Sequence, residues 1–260
     1  MHTLLASMPP STSTSYRVST PLPVVSNPAA TSASLQFVYK QWTAWSHLPG
    51  REHSHKDGGR RPWAEVLRAC RAFHADLGKL AVQTKPEFLH RRMNRFREAD
   101  AVAWGDKRLD QVPLLSTGEV HTRTAEPIRK LVALKRDFTA LSPSQLVHGD
   151  ITGNMLFDEH RKLPPGIIDL TFYWRPAAFG AAIVVADGLM WEGEGEELIE
   201  MYGTDGDSIQ MLVRAVLFRT LTWAIDVPVI GEEEDREFMR IMLPRVDFNR
   251  PIEMIHKYIK

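Results

Sequence analysis

Apolar positions in this chain recur mostly at helical spacing. Trp63, Val66, Leu67, Cys70, Phe73 and Leu77 fall three and four residues apart and predict a helix with one buried face. Pro62 opens that helix at the first helical position, which proline prefers. Residues 86–99 repeat the pattern with Phe88, Leu89, Met93 and Phe96, and carry Arg91, Arg92, Arg95 and Arg97, which read as a solvated face or as a lure for an anionic substrate. Ile128, Leu131, Val132, Leu134, Phe138 and Leu141 predict an amphipathic helix over residues 127–141. Residues 177–191 are small and apolar almost all round, the pattern of a fully buried helix. Helical patterns over residues 194–202, 208–225, 232–242 and 251–259 complete a helical C-terminal half.

Residues 146–171, LVHGDITGNMLFDEHRKLPPGIIDLT, break this rhythm. The apolar pair Leu146 and Val147 leads into His148, Gly149 and Asp150, and Asn154 follows. Met155, Leu156 and Phe157 are a short run of strand character. Residues 158–166 are charged and hold Pro and Gly, so they read as a turn. A second short strand over residues 166–168 ends at Asp169. The reading is loop, strand, turn, strand, and the hairpin brings Asp169 back beside the loop. Phosphoryl transfer needs such a set: a carboxylate to accept the acceptor's hydroxyl proton, and oxygen ligands for Mg²⁺. Magnesium takes one or two carboxylates together with phosphate oxygens and water.

HGDITGN followed by IID resembles the catalytic loop and metal aspartate of the aminoglycoside phosphotransferase/choline kinase branch of the protein-kinase-like fold. The resemblance implies an α+β, protein-kinase-like architecture with a mostly helical C-lobe and a reduced β N-lobe. It implies Asp150 as catalytic base, Asn154 and Asp169 as metal ligands, ATP and Mg²⁺ as cofactors, and a small-molecule hydroxyl as acceptor. The family pattern has five positions from the catalytic Asp to the Asn; here the step is four.

The remaining segments are placed around that loop. Residues 1–34 are dominated by Ser, Thr and Pro and are mostly expected to be disordered, with Tyr16, Arg17 and Val18 together with residues 22–25 forming one short edge strand. Residues 35–45 have strand composition and run into Ser46, His47 and Leu48 before Pro49 and Gly50. The resemblance places Ser46, His47 and Leu48 at the hinge, where adenine bonds to backbone, so residues 35–50 are a remnant N-lobe and 51–260 the helical C-lobe. Residues 51–61 read as a polar loop, in which His53 and His55 have no further ligands at metal-binding spacing. His74 resembles a position on the family's helix after the hinge, with a packing role. Residues 170–176 are aromatic and irregular, and the resemblance places the approaching acceptor there. Asp187, inside the apolar run, needs a partner because a lone buried carboxylate is costly; Arg175 or the catalytic-loop backbone can serve.

A kinase N-lobe also supplies a Gly-rich loop, a strand lysine and a helix glutamate. No glycine precedes Gly50, no Glu precedes Glu52, and Lys40 is the single lysine upstream of the hinge. Two expectations follow: an ATP- and Mg²⁺-dependent small-molecule phosphotransferase, or a pseudokinase-like binding module that keeps the loop but not the phosphate grip. A truncated form of a fuller protein would account for the reduced lobe.

Composition narrows the partners. The 32 basic and 32 acidic residues cancel, which leaves no electrostatic footprint for nucleic acid or an anionic membrane. The run at 177–191 is too short to span a bilayer. Cys70 is the single cysteine, which excludes an intrachain disulfide, fits a reducing compartment and reads as a core residue. No basic, apolar-cored leader opens the chain, so the expected location is cytoplasmic.

Overall fold

The computed structural model describes residues 17–18, 51–52, 61–80, 82–90, 94–158, 162–226 and 232–259. Pro62 stands at the N-cap of α1 (Trp63–Leu77), one step ahead of the expected first helical position. The face predicted by the spacing is the buried one, from Trp63 through Val66, Leu67, Cys70 and Phe73 to Leu77. Burial pushes the Cys70 thiol up to about 12, as a core residue requires.

The single helix expected over residues 86–99 is two, α2 (Glu87–His90) and α3 (Arg95–Trp104). Asn94 is extended at φ −155° and its side chain accepts the Arg97 N–H at 3.0 Å, so it caps α3 instead of continuing a helix. Gly105 ends α3 in the left-handed region at φ 83°. The next helix, α4 (Gly118–Leu134), starts well ahead of Pro127 and stops before Phe138 and Leu141. Its buried stripe is Thr124, Pro127, Ile128 and Leu131. A threonine at the head of that stripe hides the upstream turns from a purely apolar count.

The strands are short. A four-stranded sheet has the order β1-β5-β4-β2, from β1 (Arg17–Val18), β2 (Arg51–Glu52), β4 (Met155–Phe157) and β5 (Gly166–Ile167). β1 is the expected edge strand and runs parallel to β5; the other two pairings are antiparallel. β2 replaces the start of the expected polar loop. The predicted hairpin is present, with Met155 opposite Ile167. β3 (Ser144–His148) pairs with β6 (Phe172–Pro176) in a separate antiparallel ribbon, with Val147 opposite Tyr173 and His148 opposite Phe172. The aromatic segment expected to be irregular is therefore a strand, as its Phe-Tyr-Trp composition favours once a partner strand lies beside it.

The helical half follows as α5 (Ala178–Met190), α6 (Glu196–Tyr202), α7 (Gly206–Ala224), α8 (Glu232–Met242) and α9 (Arg250–His256). The Asp205 carboxylate accepts the Ser208 N–H at 3.0 Å and caps α7, the longest helix among the described residues. α7 packs against α3, α4 and α5. Phe179, Ile183 and Leu189 from α5 meet a core with Leu212, Val216, Phe218 and Leu221 from α7, all sealed from solvent. Each such side chain stabilises the fold by roughly 1.5–3 kcal/mol. Among the described residues the architecture is mostly helical with two small sheets, compatible with the kinase-like expectation. Among the described residues no helix is long and apolar enough to cross a membrane.

Candidate active site

The site begins with two buried histidines. His74 on α1 donates from Nδ1 to the Cys70 carbonyl at 2.8 Å, and its Nε2 accepts the backbone N–H of His148 at 2.9 Å. Burial, with the nearby His148, pushes His74 down to about 3. His148 accepts at Nδ1 from the N–H groups of Asp150 and Thr171, each at 3.3 Å, and donates from Nε2 to the Ile168 carbonyl at 3.3 Å. Burial holds it at about 4, against the pull of the Asp150 and Asp169 charges. His148 is therefore a neutral strut that joins the loop before β4 to the segment after β5. Gly149 adds a second tie through its N–H to Thr171 O at 2.9 Å. A Cβ at Gly149 would lie 2.4 Å from the Tyr173 ring, so the loop passes over β6 only with glycine there.

Asp150, Asn154 and Asp169 share one cleft of about 380 Å³. The Asn154 side-chain NH₂ donates to the Asp150 carbonyl at 2.7 Å and to its carboxylate at 3.1 Å. Both partners only accept, so the NH₂ must face them and Oδ1 is left as the acceptor atom. Asn154 O also accepts the Ile168 N–H at 3.0 Å, which sets the loop against β5. Asp169 is exposed and left-handed at φ 46°, a conformation uncommon outside glycine but better tolerated by Asp than by most residues. Among the described residues no three His, Cys, Asp or Glu side chains converge as a self-contained metal cage. The Asp169 carboxylate and the Asn154 amide oxygen are hard donors that suit Mg²⁺, an ion that keeps waters and phosphate oxygens in its shell.

The loop is anchored from below. Asp187, fully buried in α5, does not pair with Arg175. It receives Arg219 of α7 in a two-pronged contact, Nε to Oδ1 at 2.7 Å and Nη2 to Oδ2 at 2.8 Å. Nη2 also reaches Asp150 Oδ1 at 2.9 Å. Burial pushes the Asp187 carboxyl up and Arg219 pulls it back. Burial works against the Arg219 charge too, but Asp187 and Asp150 together hold the guanidinium above its ordinary value. Arg175 is taken by Asp100, at 2.9 and 2.7 Å, and by Asp106 at 2.6 Å, and joins β6 to α3. Arg61 donates to the Thr152 carbonyl at 2.8 Å, a further hold on the loop.

Arg219 is the residue that reading the sequence missed. Its signal is one of two arginines inside the apolar run of α7, matched by a single aspartate inside the apolar run of α5; the other, Arg214, is taken by Gln210 and the Arg136 carbonyl. Opposite charges on buried helices that pack together call for each other. The far wall of the cleft carries Arg95 and Phe96 from α3, Trp191, Thr222 and Trp223, and Phe238, Met239 and Met242 from α8. The proposed hinge residues Ser46, His47 and Leu48 lie outside the described residues, as do Lys40, His53 and His55.

A family model described as the phosphotransferase enzyme family (APH) matches residues 16–212. The chain belongs to that family, and the resemblance carried by residues 148–169 is thereby shown. The match spans Asp150, Asn154, Asp169 and Asp187 and stops short of Arg219. A comparison with curated proteins returns no match.

Proposed function

We propose that the chain transfers the terminal phosphoryl group of ATP to a hydroxyl on a small molecule. The observation that carries this reading is that Asp150, Asn154 and Asp169 line one cleft, with Asn154 fastened to Asp150. Asp150 orients the acceptor hydroxyl and takes its proton. Asn154 Oδ1 and the Asp169 carboxylate would hold Mg²⁺, which when bound neutralises phosphate charge and orients the phosphates. His148 and His74 hold the two acidic segments at fixed spacing and take no part in proton transfer, because burial keeps both neutral. The N-terminal residues, with Ser46, His47 and Leu48 at the hinge, would receive the adenine.

The opposite wall is aromatic and methionine-rich. It favours an acceptor with an apolar or ring-shaped body beside its hydroxyl, seated on Trp191, Trp223 and Phe96. The second reading, a non-catalytic nucleotide-binding module, is favoured by one feature: both Asp150 oxygens already have donors, from Arg219 and Asn154. Turnover separates the two. Wild type and Asp150→Asn are incubated with labelled ATP, Mg²⁺ and a panel of hydroxyl compounds. The transferase reading expects a labelled product whose formation drops about 10²–10⁴-fold in the variant, with nucleotide binding retained. Equal turnover in both proteins removes Asp150 as base. Binding without turnover on any acceptor favours the module.

A further inference from the structure

Arg219 uses only two of its three nitrogens inside the protein. Nε and Nη2 hold Asp187, and Nη2 also reaches Asp150. Among the described residues nothing accepts from Nη1, while the side chain lines the cleft beside Asp150 and Asp169. The two-pronged contact with the buried Asp187 fixes the guanidinium plane, and the guanidinium is always charged. A fixed cation therefore stands one hydrogen bond from the carboxylate that would receive the acceptor's proton.

We propose that Arg219 is a catalytic residue, which contacts the phosphoryl group in flight through Nη1. The inference rests on the phosphotransfer reading above. In that reaction the acceptor oxygen bonds to the terminal phosphorus as the bond from that phosphorus to the bridging oxygen of ADP breaks. The electron pair leaves with ADP, and the acceptor's proton passes to Asp150. The three equatorial oxygens of the phosphoryl group carry negative charge throughout, and fixed cations beside them lower the barrier. An acceptor oxygen bonded to Asp150 brings its phosphorus within reach of a guanidinium that already touches Asp150 at 2.9 Å. Arg219 thus supplies phosphate-facing charge from the C-terminal half, beyond the residues the family model matches.

MgADP with aluminium fluoride, a planar mimic of the transferring group, tests this without a known acceptor. In wild type, fluoride is expected to tighten MgADP binding. Arg219→Lys keeps a charge but offers one nitrogen to Asp187, Asp150 and the phosphoryl mimic together. It is expected to lose about 100-fold of that tightening, while MgADP alone binds as before. The paired variant Asp187→Asn with Arg219→Gln removes both buried charges at once and leaves no unpaired ion. It is expected to lose the tightening too, with folding verified by circular dichroism. Full tightening in either folded variant reduces Arg219 to a strut and overturns the assignment, as does its absence in wild type. A wild type that binds no MgADP at all sinks the phosphotransfer reading first, and this inference with it.

Discussion

Asn154 reaches back to Asp150 with one NH₂ group, to the carbonyl at 2.7 Å and to the carboxylate at 3.1 Å. The shortened step between the two residues thus still places an amide oxygen at the cleft. The loop closes the missing residue through a tight turn, with the Asn154 N–H on the Ile151 carbonyl at 3.0 Å. Asn154→Ala should therefore weaken Mg²⁺-dependent nucleotide binding by at least about tenfold, the equivalent of about 1.4 kcal/mol. Nucleotide affinity measured across a Mg²⁺ series checks it. An unchanged Mg²⁺ dependence would take Asn154 out of the metal shell.

Gly180 bears on the site at one remove. A Cβ there would lie 2.3 Å from His74 Cε1, and His74 holds His148. Gly180→Ala is expected to destabilise the fold by about 1–3 kcal/mol, through overpacking of a close-packed core. Urea unfolding of the two proteins reads this directly. Equal midpoints would mean that the histidine shifts freely and is no strut.

The two histidines also predict how stability follows pH. Both have folded values pushed far below the ordinary 6.5, to about 3 for His74 and about 4 for His148, chiefly by burial. Between those values and 6.5 the unfolded chain binds protons that the folded chain does not. Their stabilisation is complete above pH 6.5 and is lost as pH falls toward 4. Each group changes stability by about 1.4 kcal/mol per pH unit across that window. Denaturant titrations from pH 7.5 to 4.5 should show a steady fall, shallower in His74→Gln. A flat profile would show that the pair is not buried neutral.

What the sequence disclosed follows from what is local. The α1 face from Trp63 to Leu77, the hairpin of β4 and β5, and the buried α5 are written in periodicity and turn residues. Asp150, Asn154 and Asp169 lie close together in sequence, so a spacing argument brings them to one place. Elements decided by remote partners were not visible. β6 is a strand because β3 lies beside it. α4 extends ahead of Pro127 because Thr124 finds cover in the core. Arg219 is far from Asp150 in the chain, and only the packing of α7 on α5 joins them.

Asp150, Asn154 and Asp169 are proposed to form a magnesium-nucleotide site for phosphoryl transfer. Calorimetric titration of ATP with and without Mg²⁺, into wild type and into Asp169→Ala, tests it most directly. Mg²⁺ is expected to tighten ATP binding by at least about tenfold in wild type, and Asp169→Ala, still folded, is expected to lose that gain. ATP affinity indifferent to Mg²⁺ in wild type, or a gain unchanged by Asp169→Ala, would contradict it.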